Sequence, residues 1–403
     1  MTTLSLTHDE DWKALTAFLP SNYAQLADDH KQLETQYGNA KITTADWLLR
    51  FILLHAGPNL PLRQTVALMA EAGGPSLSAM RLHMKMRRAS SYLHALVERM
   101  VTWTSEAKPE QWAGYTMTLI DATMVCGPGA KGPETRIHTK MRVADVAVLD
   151  AIVTSAGETF KHFTFEPGEL VLADRAYGTA SNVIYAKERG ADVLVRYRRR
   201  GMRLWYQGER FDDLTALEII KGDDVIDFPV ELEDGDDRIR GRFIAMRLSQ
   251  EDAERARKRM KRSRKGDVLS DEALEAAGYV IIFTTVPESR MSAKKCLDAY
   301  RLRWQIELQF KRWKSLCGFD RLPNYRDDTI VSWLYAKLLI GILLDRMTSI
   351  RDELSPPVHL AVIERAKKKP GRKRATPDGA AAVEAHEHSL SIGALGALAA
   401  LSA

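Results

Sequence analysis

Three carboxylates set the chemistry that this chain could do. Asp121 sits in "TLIDATMV", inside an otherwise apolar run, and Asp174 stands at the carboxyl end of another run, "LVLADRAYG". Glu307 lies in "YRLRWQIELQFKRWK", residues 300–314, as the lone acid among Arg301, Arg303, Lys311, Arg312 and Lys314. A charge in an apolar strand is costly unless it is paired or bound to a metal. Hard oxygen ligands of this kind suit Mg²⁺, with Mn²⁺ as the alternative, held partly through substrate phosphates. Two such ions roughly 3.5–4 Å apart can activate a water or a 3′-hydroxyl on one side of a phosphodiester and stabilise the leaving oxygen on the other. A blander reading stands beside this one. A strand-end Asp caps the next turn, and Glu307 pairs with Arg303 or Lys311 at helical spacing, worth only about 0.2–0.5 kcal/mol.

The elements that must position these groups follow from periodicity. Taken as one helix, residues 300–314 put Tyr300, Arg303, Glu307, Lys311 and Lys314 on one face and Leu302, Ile306, Phe310 and Trp313 on the opposite, core-facing stripe. Short β-rich runs begin near 114 with "YTMTLIDATMV", "TRIHTKMRVAD" and "VAVLDAIVTS"; then come "ELVLADRAYG", a helical "TASNVIYAKERGA" and "DVLVRYR". Three strands followed by strand, helix and strand predict a mixed α/β sheet with helices packed on it. Residues 199–278 interrupt that pattern, and the apolar strand "YVIIFTTVP" at 279–287 closes the interruption.

The stretch before the strands predicts helices only. Within it, "LPLRQTVALMAEAGGPSLSAMRLHMKMRRA" reads as a helix, a Gly73-Gly74-Pro75 break, a serine cap and a second, basic helix. That is a helix-turn-helix pattern, in which Arg81, Lys85 and Arg88 would contact DNA; an ordinary helical hairpin fits the stretch equally well. The boundaries are therefore a helical N-terminal DNA-binding region at 1–108, a core in two parts at 109–198 and 288–351, a β-rich insertion at 199–287, and a basic, Ala-rich, flexible tail at 352–403.

Length and composition read as a soluble, globular chain with room for two or three domains: 403 residues, 45% hydrophobic and 28% charged. The net charge of +5 understates its clustering. Residues 255–265 hold eight bases and no acid, residues 365–374 hold seven and no acid, and "RYRRRGMR" at 196–203 adds a third group. Together these point to nucleic acid. Cys126, Cys296 and Cys317 give neither a disulfide framework nor a zinc spacing. The apolar run at 333–344 contains Lys337 and is too short to span a bilayer, so it predicts a buried helix. No secretory pattern opens the chain, and the expected location is the cytoplasm, at the nucleoid. The glycine-rich 127–135 lacks the spacing of a phosphate-binding loop and reads as a hairpin turn, and His386 and His388 lie in the tail. Trp205, Trp304 and Trp313 could stack on a flipped base, although Trp313 falls on the core stripe.

With these motifs in order, the chain resembles the DDE transposases of bacterial insertion sequences, in the subgroup marked by a Tyr-x2-Arg-x3-Glu-x6-Lys signature. Tyr300, Arg303, Glu307 and Lys314 reproduce that spacing, and the segments around Asp121 and Asp174 look like those around the family's two aspartates. The resemblance covers residues 40 to about 348. It implies a ribonuclease-H-like core interrupted before the glutamate helix, with Asp121, Asp174 and Glu307 holding two divalent ions. It implies that Arg303 and Lys314 grip phosphates, that Tyr300 contacts the terminal nucleotides, and that Arg175, His138 and Lys311 help. The expected activity is strand cleavage at element ends and transfer into target DNA by a homodimer assembled on double-stranded DNA, with no membrane and no small-molecule substrate. The competing readings are a transposase-derived DNA-binding protein without catalysis and a metal-dependent nuclease that cuts without joining.

Overall fold

The computed structural model describes residues 6–34, 42–105, 112–125, 135–263, 269–319, 322 and 327–352. The glycine-rich stretch before Thr135, the end of the 255–265 run, the 365–374 run, Cys126, His386, His388 and the tail beyond Asp352 lie outside the described residues. The chain forms two compact units, one of helices and one built on a sheet. They cut across the sequence boundaries, because the residues from Phe310 onward cluster with the N-terminal helices.

Up to residue 105 the described regular structure is helical: α1 (Asp9–Thr16), α2 (Tyr23–Asp29), α3 (Ala45–Ala56), α4 (Leu62–Glu71), α5 (Ala79–Arg88) and α6 (Ser90–Ser105). The predicted break between α4 and α5 is built by its glycines. Gly73 adopts a φ of +80°, which a side chain would strain, and a Cβ on Gly74 would stand 2.8 Å from the Trp47 ring. Ser78 then caps α5 by accepting the Arg81 N–H. α3 is apolar nearly all round, as suits the centre of a bundle, with Leu48, Leu49, Phe51 and Ile52 fully enclosed.

The sheet unit contributes β1 (Thr116–Val125), β2 (Thr135–Arg142), β3 (Val148–Thr154), β4 (Glu169–Ala173), α7 (Ala180–Glu188), β5 (Asp192–Arg196), β6 (Arg203–Tyr206), β7 (Glu209–Arg210), α8 (Asp213–Glu218), β8 (Val225–Asp234), β9 (Asp237–Arg247), α9 (Gln250–Ser263), α10 (Asp271–Ala276) and β10 (Tyr279–Thr284). These strands form one sheet in the order β3-β2-β1-β4-β5-β10-β9-β8-β6-β7. β4 runs parallel to β1 and β5 parallel to β4, with α7 as the crossover between β4 and β5. A parallel strand covered on both faces needs an unbroken apolar run, and "ELVLA" of β4 is buried throughout. The interruption anticipated from 199 onward does not fold apart from this sheet. Its strands β6 to β9 extend the same sheet, and β10 joins them to it by antiparallel pairing with both β5 and β9.

The chain closes with α11 (Ala293–Arg301), α12 (Trp304–Cys317) and α13 (Asp327–Asp352). Here the expectation of one helix over 300–314 is corrected. Leu302 caps α11, and the Arg303 and Gln305 N–H groups bond back to Tyr300 and Leu302 in tight three-residue turns before α12 begins. Neither Gly nor Pro marks the break, so apolar periodicity runs straight through it. The core stripe itself is as expected, with Leu302, Ile306, Phe310 and Trp313 all buried.

Within the helical unit, α13 packs against α3 and α5. Gly341 of α13 lets Trp313 of α12 approach, since a Cβ there would lie 2.9 Å from the indole nitrogen. Lys337 is fully buried in α13; its ammonium donates to the Gly57 carbonyl at 2.9 Å and sits 4.8 Å from the centre of the Trp333 ring. The buried amine thus has an acceptor, without which it would be strongly destabilising. No helix among the described residues is long and apolar enough to cross a membrane.

Candidate active site

Strand register brings the two aspartates together. Ile120 of β1 pairs with Ala173 of β4, and Ala173 pairs with Val195 of β5. The next residues in chain order are Asp121, Asp174 and Arg196, so two acids and a base stand in a row just past the last parallel pairs of the three strands. Side chains in register on neighbouring strands leave the sheet on the same face. The carboxyl end of a parallel sheet is where α/β folds bind ligands.

α12 brings the third carboxylate. Arg303, just before the helix, donates to Glu307 Oε1 at 2.6 Å and lies 3.7 Å from Asp121 Oδ2. The ion pair of the blander reading is therefore present, but the guanidinium also reaches Asp121 on β1, which a surface helix pair would not do. Burial raises the Asp121 carboxyl to about 6 from its ordinary 3.8. The Ala122 N–H and Arg303 pull it down, and the neighbouring charges of Asp174 and Glu307 push it up again. Arg303 itself is held more firmly protonated. Burial opposes that, but Tyr300, Asp174 and Glu307 outweigh it.

Tyr300 belongs to this cluster in a different way from the one expected. It closes α11, is 8% exposed, and lies under Arg303 with the guanidinium 5.9 Å from its ring centre. Burial pushes its phenol to about 12 while Arg303 beside it pulls the other way, and among the described residues its hydroxyl makes no hydrogen bond of good geometry. The helix break before Arg303 is what removes Tyr300 from the exposed face of α12.

Two further residues went unrecognised in the sequence. Arg196 was one base in a general basic group, yet register puts it beside Asp174. It donates to the Tyr279 carbonyl, and burial lowers its affinity for its proton while Tyr300 and Asp174 support it. Tyr177, three residues after Asp174, is fully buried and stacks on Phe160 with centroids 5.3 Å apart. Among the described residues its hydroxyl has no hydrogen-bond partner; burial raises its pKa, and Asp121 and Asp174 are among the charges that raise it further. Pairing register could have flagged Arg196; nothing in the sequence pattern distinguishes Tyr177 from a core tyrosine.

The other expected residues are distributed as follows. Arg175 is exposed beside Asp174. His138 is fully buried, with its ring 4.5 Å from that of His162 and Nε2 3.3 Å from the Ala156 carbonyl. Burial and then His162 push it down to about 4, so it is neutral at pH 7. Lys311 and Lys314, exposed and half-buried, lie on the part of α12 that clusters with the helical unit. Arg81 and Arg88 are exposed on α5. Lys85 is half-buried instead: its ammonium donates to the carbonyls of Gln32 and Glu34, a tertiary role that helical spacing alone does not reveal. Trp313 is core, Trp205 donates to Glu233 beneath the Arg238 guanidinium, and Trp304 is 53% exposed at the start of α12.

Asp121, Asp174 and Glu307 form an all-oxygen donor set of the kind hard divalent cations take. Burial first, and the neighbouring charges of Asp174 and Glu307 after it, raise Asp121, and a cation would relieve both, so the chemistry of the donors suits such an ion. As they stand, no three carboxylate, imidazole or thiol groups among the described residues converge closely enough to hold one.

Residues 112–343 match the transposase DDE domain. The chain is 30% identical to the putative transposase InsL of insertion sequence element IS186A from Escherichia coli K12, over 85% of this chain and 95% of that one. It is equally similar, at 30% and with the same coverage, to the transposase of IS421 from Escherichia coli. The transposase of IS231B from Bacillus thuringiensis subsp. berliner is 24% identical over 44% of this chain and 41% of its own length. The chain belongs to the DDE transposases of bacterial insertion sequences, enzymes that cleave DNA and transfer the cut strand and whose chemistry depends on divalent metal.

Proposed function

We propose that Asp121, Asp174 and Glu307 are the catalytic carboxylates of this transposase and hold two Mg²⁺ ions, with Mn²⁺ as a substitute. The observation that carries this reading is the in-register placement of Asp121 and Asp174, bridged through Arg303 to Glu307. When bound, the ions supply Lewis acidity to the scissile phosphate and activate the attacking water or 3′-hydroxyl. The protein's own part is positioning and electrostatics. Arg303, which pairs with Glu307 and approaches Asp121, would turn to a phosphate oxygen of bound DNA, with Arg196 as a further phosphate partner, and Lys314, on the part of α12 that clusters with the helical unit, would also bind a DNA phosphate. Tyr300 packs beneath Arg303 and sets its height above Asp174. Trp304 offers an exposed ring beside the terminal nucleotides.

The strand order β3-β2-β1-β4-β5, with β1, β4 and β5 parallel and a helix between the last two, supports a ribonuclease-H-like core. The α4 and α5 pair, with Ser78 capping α5 and Arg81 and Arg88 exposed, supports recognition of element ends by the helical unit. A homodimer on paired ends at the nucleoid is the working assembly. Incubating purified protein with duplexes that carry the element's terminal inverted repeats and Mg²⁺, then mapping cut and joined strands, tests the whole reading. Strand joining to target DNA is expected. Cutting without joining would make the enzyme a nuclease, and binding without cutting would reduce it to a DNA-binding protein.

A further inference from the structure

α9 presents a charged face that the reaction described above does not use. Its start is fixed by Ser249, whose hydroxyl accepts the Asp252 N–H at 3.1 Å, and its side is fixed by Ala253 and by Arg257, which donates to the Leu274 carbonyl at 3.0 Å. Gly278 permits this packing, since a Cβ there would lie 3.1 Å from the Arg257 guanidinium. At about 100° per residue, Ala253, Ala256 and Met260 share the packed side, all of them buried or half-buried. Lys258, Arg259, Lys261 and Arg262 fall on the opposite side, and all four are exposed.

Charges on an ordinary solvated helix are interleaved, and the first half of α9 obeys this, with Arg255 paired to Glu251 at 3.5 Å and Asp252 at 2.5 Å. The second half does not. None of its four exposed bases has an acidic partner among the described residues. Four like charges within two turns repel one another, and a polyanion removes that repulsion. From Ala253 to Arg262 the helix also carries no Asn, Gln, Ser or Thr, the short polar side chains that join Arg and Lys in reading base edges.

We propose that this face of α9 grips the phosphate backbone of duplex DNA without reading its sequence, and so holds flanking or target DNA rather than recognising the element end. The inference rests on the reading of the chain as a DNA-processing enzyme. Each backbone contact should add about 0.9 to the slope of log affinity against log salt, because it releases condensed counterions.

The test replaces all four bases (Lys258→Gln, Arg259→Gln, Lys261→Gln, Arg262→Gln) in the full chain; glutamine keeps the helix propensity of lysine and arginine. Binding is measured from 50 to 200 mM salt on random duplex DNA, on duplex DNA bearing the element end, and on single-stranded RNA. Random-duplex affinity is expected to fall roughly 10- to 100-fold, with the salt slope flatter by about 2 to 4. The end-bearing duplex should lose the same factor, so that the preference for the end is kept, and the lysine-to-arginine pair Lys258→Arg with Lys261→Arg should bind as wild type. An unchanged slope on duplex DNA, a loss confined to RNA, or a loss confined to the end-bearing duplex would overturn the proposal. If the wild-type protein bound no duplex at all, the functional reading itself would fall, an outcome distinct from a variant that matches a binding wild type.

Discussion

The two ends of the same parallel strands treat their carboxylates in opposite ways. At the amino ends, Glu169 begins β4 and Asp192 begins β5, and both are nearly fully buried. Glu169 is held by Lys140 at 2.8 Å, by the Thr118 hydroxyl at 3.3 Å and by the Glu166 N–H at 3.0 Å. Asp192 accepts from Tyr115 at 2.6 Å, Thr285 at 2.7 Å and Lys187 at 2.8 Å. Just past the last parallel pairs, Asp121 has one backbone N–H and a 3.7 Å approach from Arg303, and Asp174 makes no side-chain cap hydrogen bond. A buried acid whose lone pairs are all answered is part of the architecture. An acid left partly unanswered, next to other acids, is available for a ligand.

The largest contrast expected is between activity and folding. Asp121→Asn, Asp174→Asn and Glu307→Gln should each lower strand cleavage by roughly 10³-fold or more while leaving end binding within a few-fold, since most affinity comes from phosphate contacts elsewhere. Single-turnover cleavage at saturating protein measures this, and near wild-type cleavage in any one variant removes that residue from the site.

Glu169→Gln should do the reverse. It leaves the Lys140 ammonium buried without its counter-charge, which destabilises by about 3–5 kcal/mol in such pairs. Denaturant unfolding at neutral pH reads the loss, and cleavage per folded molecule should be nearly unchanged. If Glu169→Gln were as stable as wild type, the division between answered and unanswered acids would fail at its structural end.

Much of this was legible in the sequence. The apolar runs and their order specify the strands β1 to β5 and the crossover helix, and the three carboxylates stand out because charge in such runs needs a reason. What was hidden depends on pairing and on tertiary contact. Arg196 enters the site only through register with Asp174, which a chain-order reading does not contain. The break between α11 and α12 has no glycine or proline to announce it, so Tyr300 was assigned to an exposed face that it does not share. The folding of β6 to β9 onto the core sheet depends on β10 finding β5 across some eighty intervening residues, and no local pattern encodes that partner.

A smaller effect probes the unanswered end through stability. The folded-state pKa of Asp121, about 6, is above its ordinary 3.8, so its protonated form is the one that folding favours. Its contribution is complete below about pH 4 and is lost as pH rises through 6. Asparagine does not ionise. Asp121→Asn should therefore match wild type in acid and exceed it by on the order of 2–3 kcal/mol at pH 7.5, even though it is inactive. Thermal unfolding without divalent metal across pH 4 to 8 reveals the divergence. Parallel curves would mean that Asp121 is adequately answered after all.

The smallest effect carries the comparison into the helical unit, where one basic helix carries both a lysine engaged by backbone carbonyls and exposed arginines. On α5, the Lys85 ammonium is engaged by the Gln32 and Glu34 carbonyls, and burial lowers its affinity for its proton, with Arg88 adding to that. Arg81 and Arg88 stand exposed on the same helix. Lys85→Gln should then act on folding, lowering the unfolding midpoint by the loss of charge-assisted bonds worth about 1.5–3 kcal/mol each at most, with little change in DNA affinity per folded molecule. Arg81→Gln should leave the unfolding midpoint in place and, combined with Arg88→Gln, weaken binding to the element end by about tenfold per folded molecule, more than binding to random duplex. Equal losses on both duplexes would reduce the two arginines to phosphate attraction. A loss of end binding from Lys85→Gln as large as that from the arginine pair would show that an answered charge can still be a reading charge, and satisfaction of buried groups would no longer separate architecture from recognition in this protein.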